Sequence, residues 1–241
     1  MKLLPLSLFL FVLSSPLVLR ADLTIVEKIE GAGPVSEMTV KIKGDMARID
    51  SSPKITSIMN GKTGDMVTLM NDQKVAVRMS AEKLQAAADM VKKYGDKETA
   101  AKADAAPSKP TATGKKEKIN GYDTEQYTQD LPNFKATYWI AASYPGAADI
   151  LKQMQSLSSS FLKKASNMPD YRDFPGLPLK TVFSTNGTEI TTTIVSIKTD
   201  PVSDSEFTVP ADYQEMKTPD LKDLMGGKAQ MPEGQASPAK P

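Results

Sequence analysis

The stretch GLPLKTVFSTNGTEITTTIVSIKTDPVSDSEFTVP, Gly176 to Pro210, decides the fold. Two runs rich in β-branched residues flank Asn186-Gly187, a dipeptide that accepts the positive φ angles of a tight turn, so the segment predicts a long β-hairpin. In the first run Leu177, Leu179, Thr181 and Phe183 alternate onto one face. In the second, Ile190, Thr192 and Ile194 oppose Thr191, Thr193 and Val195 less cleanly. A hairpin with one apolar face requires a cover. Its threonines, with no converging acid, base or ligand set, mark it as architecture rather than chemistry.

The cover is predicted immediately upstream. Ser143 and Pro145 open a helix in which Ile150, Met154, Leu157 and Phe161 recur at helical spacing, widened by Leu151, Leu162 and Ala165. Its opposite face carries Lys152, Gln155, Ser159 and Lys163, a weakly basic surface that suits packing across a sheet better than lying on a membrane. Before it, Tyr122 to Gln129 and Phe134 to Ala142 read as strands, with Asn120-Gly121 as a further turn signal. Trp139 falls on the more polar face of its strand with Lys135 and Thr137, where it either packs under a helix or rims a ligand cleft. Downstream, Tyr213, Met216 and the Leu221 to Met225 cluster can dock, and 226–241 reads as a disordered tail.

From Asp22 short strands follow one another at a spacing of about ten residues per strand, which implies an antiparallel meander rather than helical crossovers. Leu23, Ile25 and Ile29, then Met38, Val40 and Ile42, alternate; Gly44-Asp45, Asn60-Gly61 and Asn71-Asp72 supply turns between the runs that follow, to Met79. Glu27 shares a face with Leu23, Ile25 and Ile29 and is read as a rim carboxylate in water, the alternative being a buried acid of raised pKa. Ser80 caps a helix through about Tyr94 with an Ala-rich stripe of Leu84, Ala87, Ala88 and Val91. Gly95 to Lys118 has almost no large apolar residue and reads as a flexible tether or exposed loop.

Composition closes off whole classes of chemistry. The 241 residues carry 30 basic and 29 acidic side chains, which leaves no global field for nucleic acid. Without cysteine or histidine there is no disulfide, no thiolate nucleophile, no Cys-attached lipid, and the commonest metal ligand and the commonest general base are missing. No catalytic residue, metal site or cofactor is assigned. Thirteen methionines beside seven Phe and seven Tyr favour adaptable apolar surfaces. Met1-Lys2, the apolar run Leu3 to Leu19 and the small Ala21 read as a secretory signal peptide, residues 1–21, too short and Pro-interrupted for a span. No later apolar run is long enough to cross a bilayer, so no integral segment is expected in the mature chain.

The order of Tyr138-Trp139-Ile140-Ala141, an amphipathic helix, Gly176-Leu177-Pro178-Leu179, the hairpin, Ser205 to Pro210 and Tyr213 resembles a family of uncharacterised secreted bacterial domains. That family is allied to the periplasmic lipoprotein carriers and outer-membrane lipoprotein receptors, the LolA/LolB-like superfamily. The matching block runs from Trp139 to Met216. The resemblance implies an α+β fold in which a strongly curved antiparallel half-barrel is covered by two or more helices. It implies a single domain over 22–225 with an insertion at about 95–118. It also implies a concave apolar cavity, for which Met38, Val40, Ile42, Met59, Met70, Val77, Met79, Met154 and Phe161 are the candidate lining. Several family members carry cysteines or a lipid-attachment site that this chain lacks. The implied function is non-enzymatic binding, in the periplasm or outside a Gram-negative cell, of a lipid, a lipidated protein or another apolar molecule. An envelope structural module with a filled core and a protein partner is the alternative, and an enzyme of unknown type the third reading.

Overall fold

In the computed structural model, which describes residues 22–31, 33, 34, 36–94, 108–130, 135–157, 170–185 and 187–216, two antiparallel meanders join into one twelve-stranded sheet. The first comprises β1 (Leu23–Glu30), β2 (Ser36–Lys43), β3 (Met46–Ser52), β4 (Ile55–Asn60), β5 (Met66–Met70) and β6 (Val75–Met79). The second comprises β7 (Thr111–Ile119), β8 (Tyr122–Asp130), β9 (Lys135–Ala141), β10 (Leu177–Thr185) and β11 (Thr188–Lys198). A short β12 (Gln214–Met216) lies parallel to β6 at one edge. The order β12-β6-β5-β4-β3-β2-β1-β11-β10-β9-β8-β7 places the last long strand beside the first.

Turn chemistry sets the hairpins. Asn120 and Gly121 both take positive φ, 49° and 84°, as a two-residue turn between twisted strands requires. In the β10–β11 hairpin Thr185 pairs with Thr188 around Asn186-Gly187, and Gly187 sits at φ 80°.

The sheet curls. The β7–β8 turn lies three to four strand spacings from β11, about 14–19 Å if the sheet were flat. Yet the Asn120 Nδ2 donates to the Ile194 carbonyl at 2.5 Å, and Lys180 of β10 reaches Glu117 of β7 at 3.7 Å. Ile119 and Tyr122 join the same cluster as Leu23, Ile25 and Ile194, so apolar burial as well as hydrogen bonding holds the curl.

Two α-helices occur among the described residues. Helix α1 (Ala81–Tyr94) starts at Ser80, whose hydroxyl accepts from the Lys83 N–H at 3.3 Å. Helix α2 (Ala147–Leu157) starts two residues later than Pro145 because Gly146 takes φ 70°, outside the helical region. Ile150, Leu151 and Met154 of α2 pack in the cluster formed by Leu23, Ile25, Val40, Ile42, Leu177, Leu179 and Ile194. This is the cover that the hairpin required.

Three expectations change. Cover by two or more helices is only partly met: much of it comes from irregular chain. Val202, Phe207, Val209 and Tyr213 belong to a C-terminal strap, and the last three lie over Ile58, Val67, Leu69 and Ala76. Phe174, after the single-turn Tyr171–Asp173, covers Ala136, Tyr138 and Ile140. The even alternation expected in β10 breaks at a bulge between Pro178 and Lys180. Leu177 and Leu179 therefore join the α2 cluster while Phe183 packs with Tyr138 and Phe174 on the other face. Finally, the second part of the stretch read as a tether is strand β7. Eight of its nine residues are exposed, so its backbone ladder with β8 orders it without a large apolar face. Residues 95–107, the C-terminal part of the predicted helix with Phe161, Leu162 and Ala165, the signal segment 1–21, the Leu221 to Met225 cluster and the 226–241 tail lie outside the described residues.

Gly176 fixes the entry to β10. A Cβ there would stand 2.4 Å from the Ala141 carbonyl oxygen and 2.6 Å from the Ala142 Cα, both backbone atoms. Gly176→Ala is expected to lower unfolding stability by about 2 kcal/mol or more, measured by urea denaturation, against a change within about 0.5 kcal/mol for Ala142→Ser on the exposed neighbour.

Candidate functional site

The register of β1 to β6 assembles one apolar face. One rung across six strands reads Leu23, Ile42, Ala47, Met59, Met66 and Met79. The next reads Ile25, Val40, Ile49, Ser57, Thr68 and Val77. Met38 pairs with Glu27 above them, and Ile55, Met70 and Val75 form a further rung toward the β6 edge. Because side chains alternate, the residues between them belong to the opposite, strap-covered face.

Seven of the nine candidate lining residues, Met38, Val40, Ile42, Met59, Met70, Val77 and Met79, thus share one face. Met154 joins it from α2, where it packs in the cluster holding Val40 and Ile42. Phe161 lies outside the described residues. Met66 also belongs to the face and is legible by period two from Met70, four residues on. The face is closed at one end and open at the other: Leu23 and Ile42 are 0% and 1% exposed, whereas Ile55 and Met216 are 46% and 41% exposed. Met216 of β12 stands beside Val77, so the edge strand extends the open end. Between these limits Met38, Val40, Met66, Met70, Val77 and Met79 are half-buried.

Glu27 interrupts this face. It is not at an edge: β1 lies between β2 and β11, and its cross-strand neighbours are Met38 and Ile194. Among the residues that β1 to β6 contribute to this face, Glu27 is the one ionisable side chain. Burial among apolar groups raises its pKa above the ordinary 4.5, because the charged form loses hydration that nothing nearby restores.

The opposite face is built for holding, not for binding. Arg48 grips both oxygens of Asp50 at 3.0 Å and donates to the Glu206 carbonyl at 3.0 Å. Lys41 pairs with the Glu206 carboxylate at 3.0 Å, and Lys43 donates to the Val202 carbonyl at 2.7 Å. Burial opposes ionisation of Asp50, but hydrogen bonds from Arg48 and Thr56 and the charges of Arg48 and Lys41 outweigh it and hold its pKa below the ordinary range. Tyr213 completes the strap by donating to Asn71 at 2.9 Å.

A polar recess of about 460 Å3 lies under the curled β7–β8 turn, lined by Glu30, Glu117, Lys118, Asn120, Lys180 and Thr193. Thr193 pairs with Lys28, so the recess lies on the other side of β1 and β11 from Glu27. Lys180 sits over the Trp139 ring at 4.4 Å, which places Trp139 against the helix-covered core and beside a cation. Among the described residues no group of three or more His, Cys, Asp or Glu could hold a metal, and no helix is long and apolar enough to cross a membrane.

A family model described as a domain of unknown function, DUF4412, matches residues 23–213. The chain belongs to that family. The match reaches into the first meander, beyond the Trp139 to Met216 block on which the resemblance rested. No curated protein matches the sequence. Among solved structures the chain is similar to PNGF-II, at 14% identity and a TM-score of 0.40 over 86% of this chain and 34% of that one. It spans about a third of the length of PNGF-II. It is also similar to the Mycobacterium tuberculosis lipoprotein LppX (12% identity, TM-score 0.40, 76% of this chain and 88% of that one). LprF from Mycobacterium bovis follows at 15% identity and a TM-score of 0.32, over 82% and 91%.

The raised pKa of Glu27 has a definite sign in stability. The folded carboxyl binds its proton more tightly than the unfolded one, so stability falls as pH rises from the ordinary 4.5 through the raised value. Glu27→Gln carries no such penalty. The variant is expected to match the parent near pH 4 and to exceed it at pH 8, measured by urea denaturation at both; a gap that closes as pH rises would refute the assignment.

Proposed function

We propose that this DUF4412 chain is an exported, non-enzymatic binding module that carries an apolar molecule, a lipid or the acyl chain of a lipidated protein, on the β1–β6 face. The observation that carries the reading is the row of half-buried methionine and valine side chains running from the α2-packed end to the open edge. Apolar area left in contact with water forgoes roughly 25 cal/mol per Å2, and flexible methionines accept ligands of varied outline. The signal-like N-terminus supports a periplasmic or extracellular setting, in keeping with a Gram-negative envelope. Exposed Ile55 and Met216 favour a second reading, a protein partner docking at the open edge.

Native mass spectrometry of protein purified from its own envelope is expected to show bound lipid, and the delipidated protein to bind an uncharged fluorescent apolar probe. Met70→Gln combined with Val77→Thr, two half-buried positions, is expected to weaken that binding about fivefold or more with the melting transition retained. Protein that is empty and does not bind the probe overturns the carrier reading. In-cell crosslinking from position 216 that recovers one protein partner would then support the second.

A further inference from the structure

We infer that Glu27 sets the ligand's head group: the face selects an amphiphile that ends in a cation, an amine or quaternary ammonium, over a fatty acid or an anionic lipid. The inference rests on the carrier reading and deepens it. Its basis is placement. Glu27 lies in a central strand, flanked on its own strand by Ile25 and Ile29 and across the ladder by Met38 and Ile194. The cations nearest in sequence and register, Lys28, Lys41 and Arg48, belong to the opposite face, where Lys28 pairs with Glu30 at 2.9 Å and the other two hold the strap. A carboxylate set alone in an apolar surface is costly until a positive group arrives, and an arriving anion would meet like charge in a weakly screened setting. The apolar residues beside it, Met38 and Val40, begin the surface for the attached chain, and Met59 continues it further along the same face. Charge complementarity therefore names the occupant's head while the methionine rows receive its tail.

Three ligands sharing a twelve-carbon chain separate the terms: dodecyltrimethylammonium, the neutral dodecyl maltoside, and dodecanoate. Titration calorimetry below micelle-forming concentrations at pH 8 is expected to rank the cation about tenfold tighter than the anion for the parent chain. In Glu27→Gln the ranking collapses while the neutral ligand binds as before. An unchanged cation preference in Glu27→Gln, or a preference for the anion in the parent, overturns the inference and leaves the carrier reading standing. Failure of all three ligands to bind the parent overturns both.

Discussion

The structure depends on the pairing of β1 with β11. Thr24 faces Lys198 and Glu30 faces Thr191, so the first strand is bonded to the last long one across the whole intervening chain. Each meander is local and can form from its own turns, but neither closes an apolar face alone. Joining them brings Leu23 and Ile25 against Ile194 and lets α2, which belongs to the second meander, cap the first. The same suture moves Glu27 from what would be an edge strand of the first meander into the centre of a continuous sheet. A carboxyl that could stay hydrated at an edge is thereby half-buried, and its raised pKa follows from desolvation set by topology rather than from any neighbouring charge.

The two faces of β2 to β6 are covered by different physics. On one, Arg48, Lys41, Lys43 and Asp50 fix an irregular strap by hydrogen bonds to its backbone and pairs with Glu206 and Asp204. Phe207, Val209 and Tyr213 then seal the small apolar patch beneath. Such directional contacts specify one arrangement, and the exposed pairs among them add little energy of their own. The other face has hydroxyls and thioethers but no comparable set of charged groups to dictate a partner's geometry. Non-directional apolar surface of that kind suits an occupant of variable shape.

How much was legible depends on which interaction set each feature. Period-two alternation is local, so Met38, Val40 and Ile42 were readable as a face, as were Met59, Met70, Val77 and Met79. That they form one face depended on registers fixed by the turns at Gly44, Asn60 and Asn71. The Asn120-Gly121 and Asn186-Gly187 turns were readable because positive φ restricts which residues serve there. What was not readable came from long range. The bulge at Pro178 to Lys180 splits Leu177 and Leu179 from Phe183, and an alternation count has no term for an extra residue opposite Trp139. Strand β7 reads as tether because composition measures burial, whereas an edge strand is held chiefly by its backbone ladder, here with Ile119 and Glu117 as side-chain anchors. That Ser205 to Pro210 forms part of a strap follows only from the long-range contacts of Arg48 and Tyr213.

The gradient along the apolar face gives the proposed carrier a direction. At the β1–β2 end, Leu23, Ile25 and Ile42 are sealed by α2, and a ligand entering there would have to displace packed leucine and isoleucine at the cost of a core cavity. At the other end, among the described residues, β6 is extended by the three residues of β12, and Ile55 and Met216 meet water. Entry from the β4–β6 side therefore costs least. Glu27 lies toward the closed end, beyond the methionine rows from that entrance, so a chain with its charged group leading would carry that charge across the apolar rows before finding its counter-ion. A carboxyl placed this way acts as a selector at the final seating of the ligand rather than as a lure at the entrance.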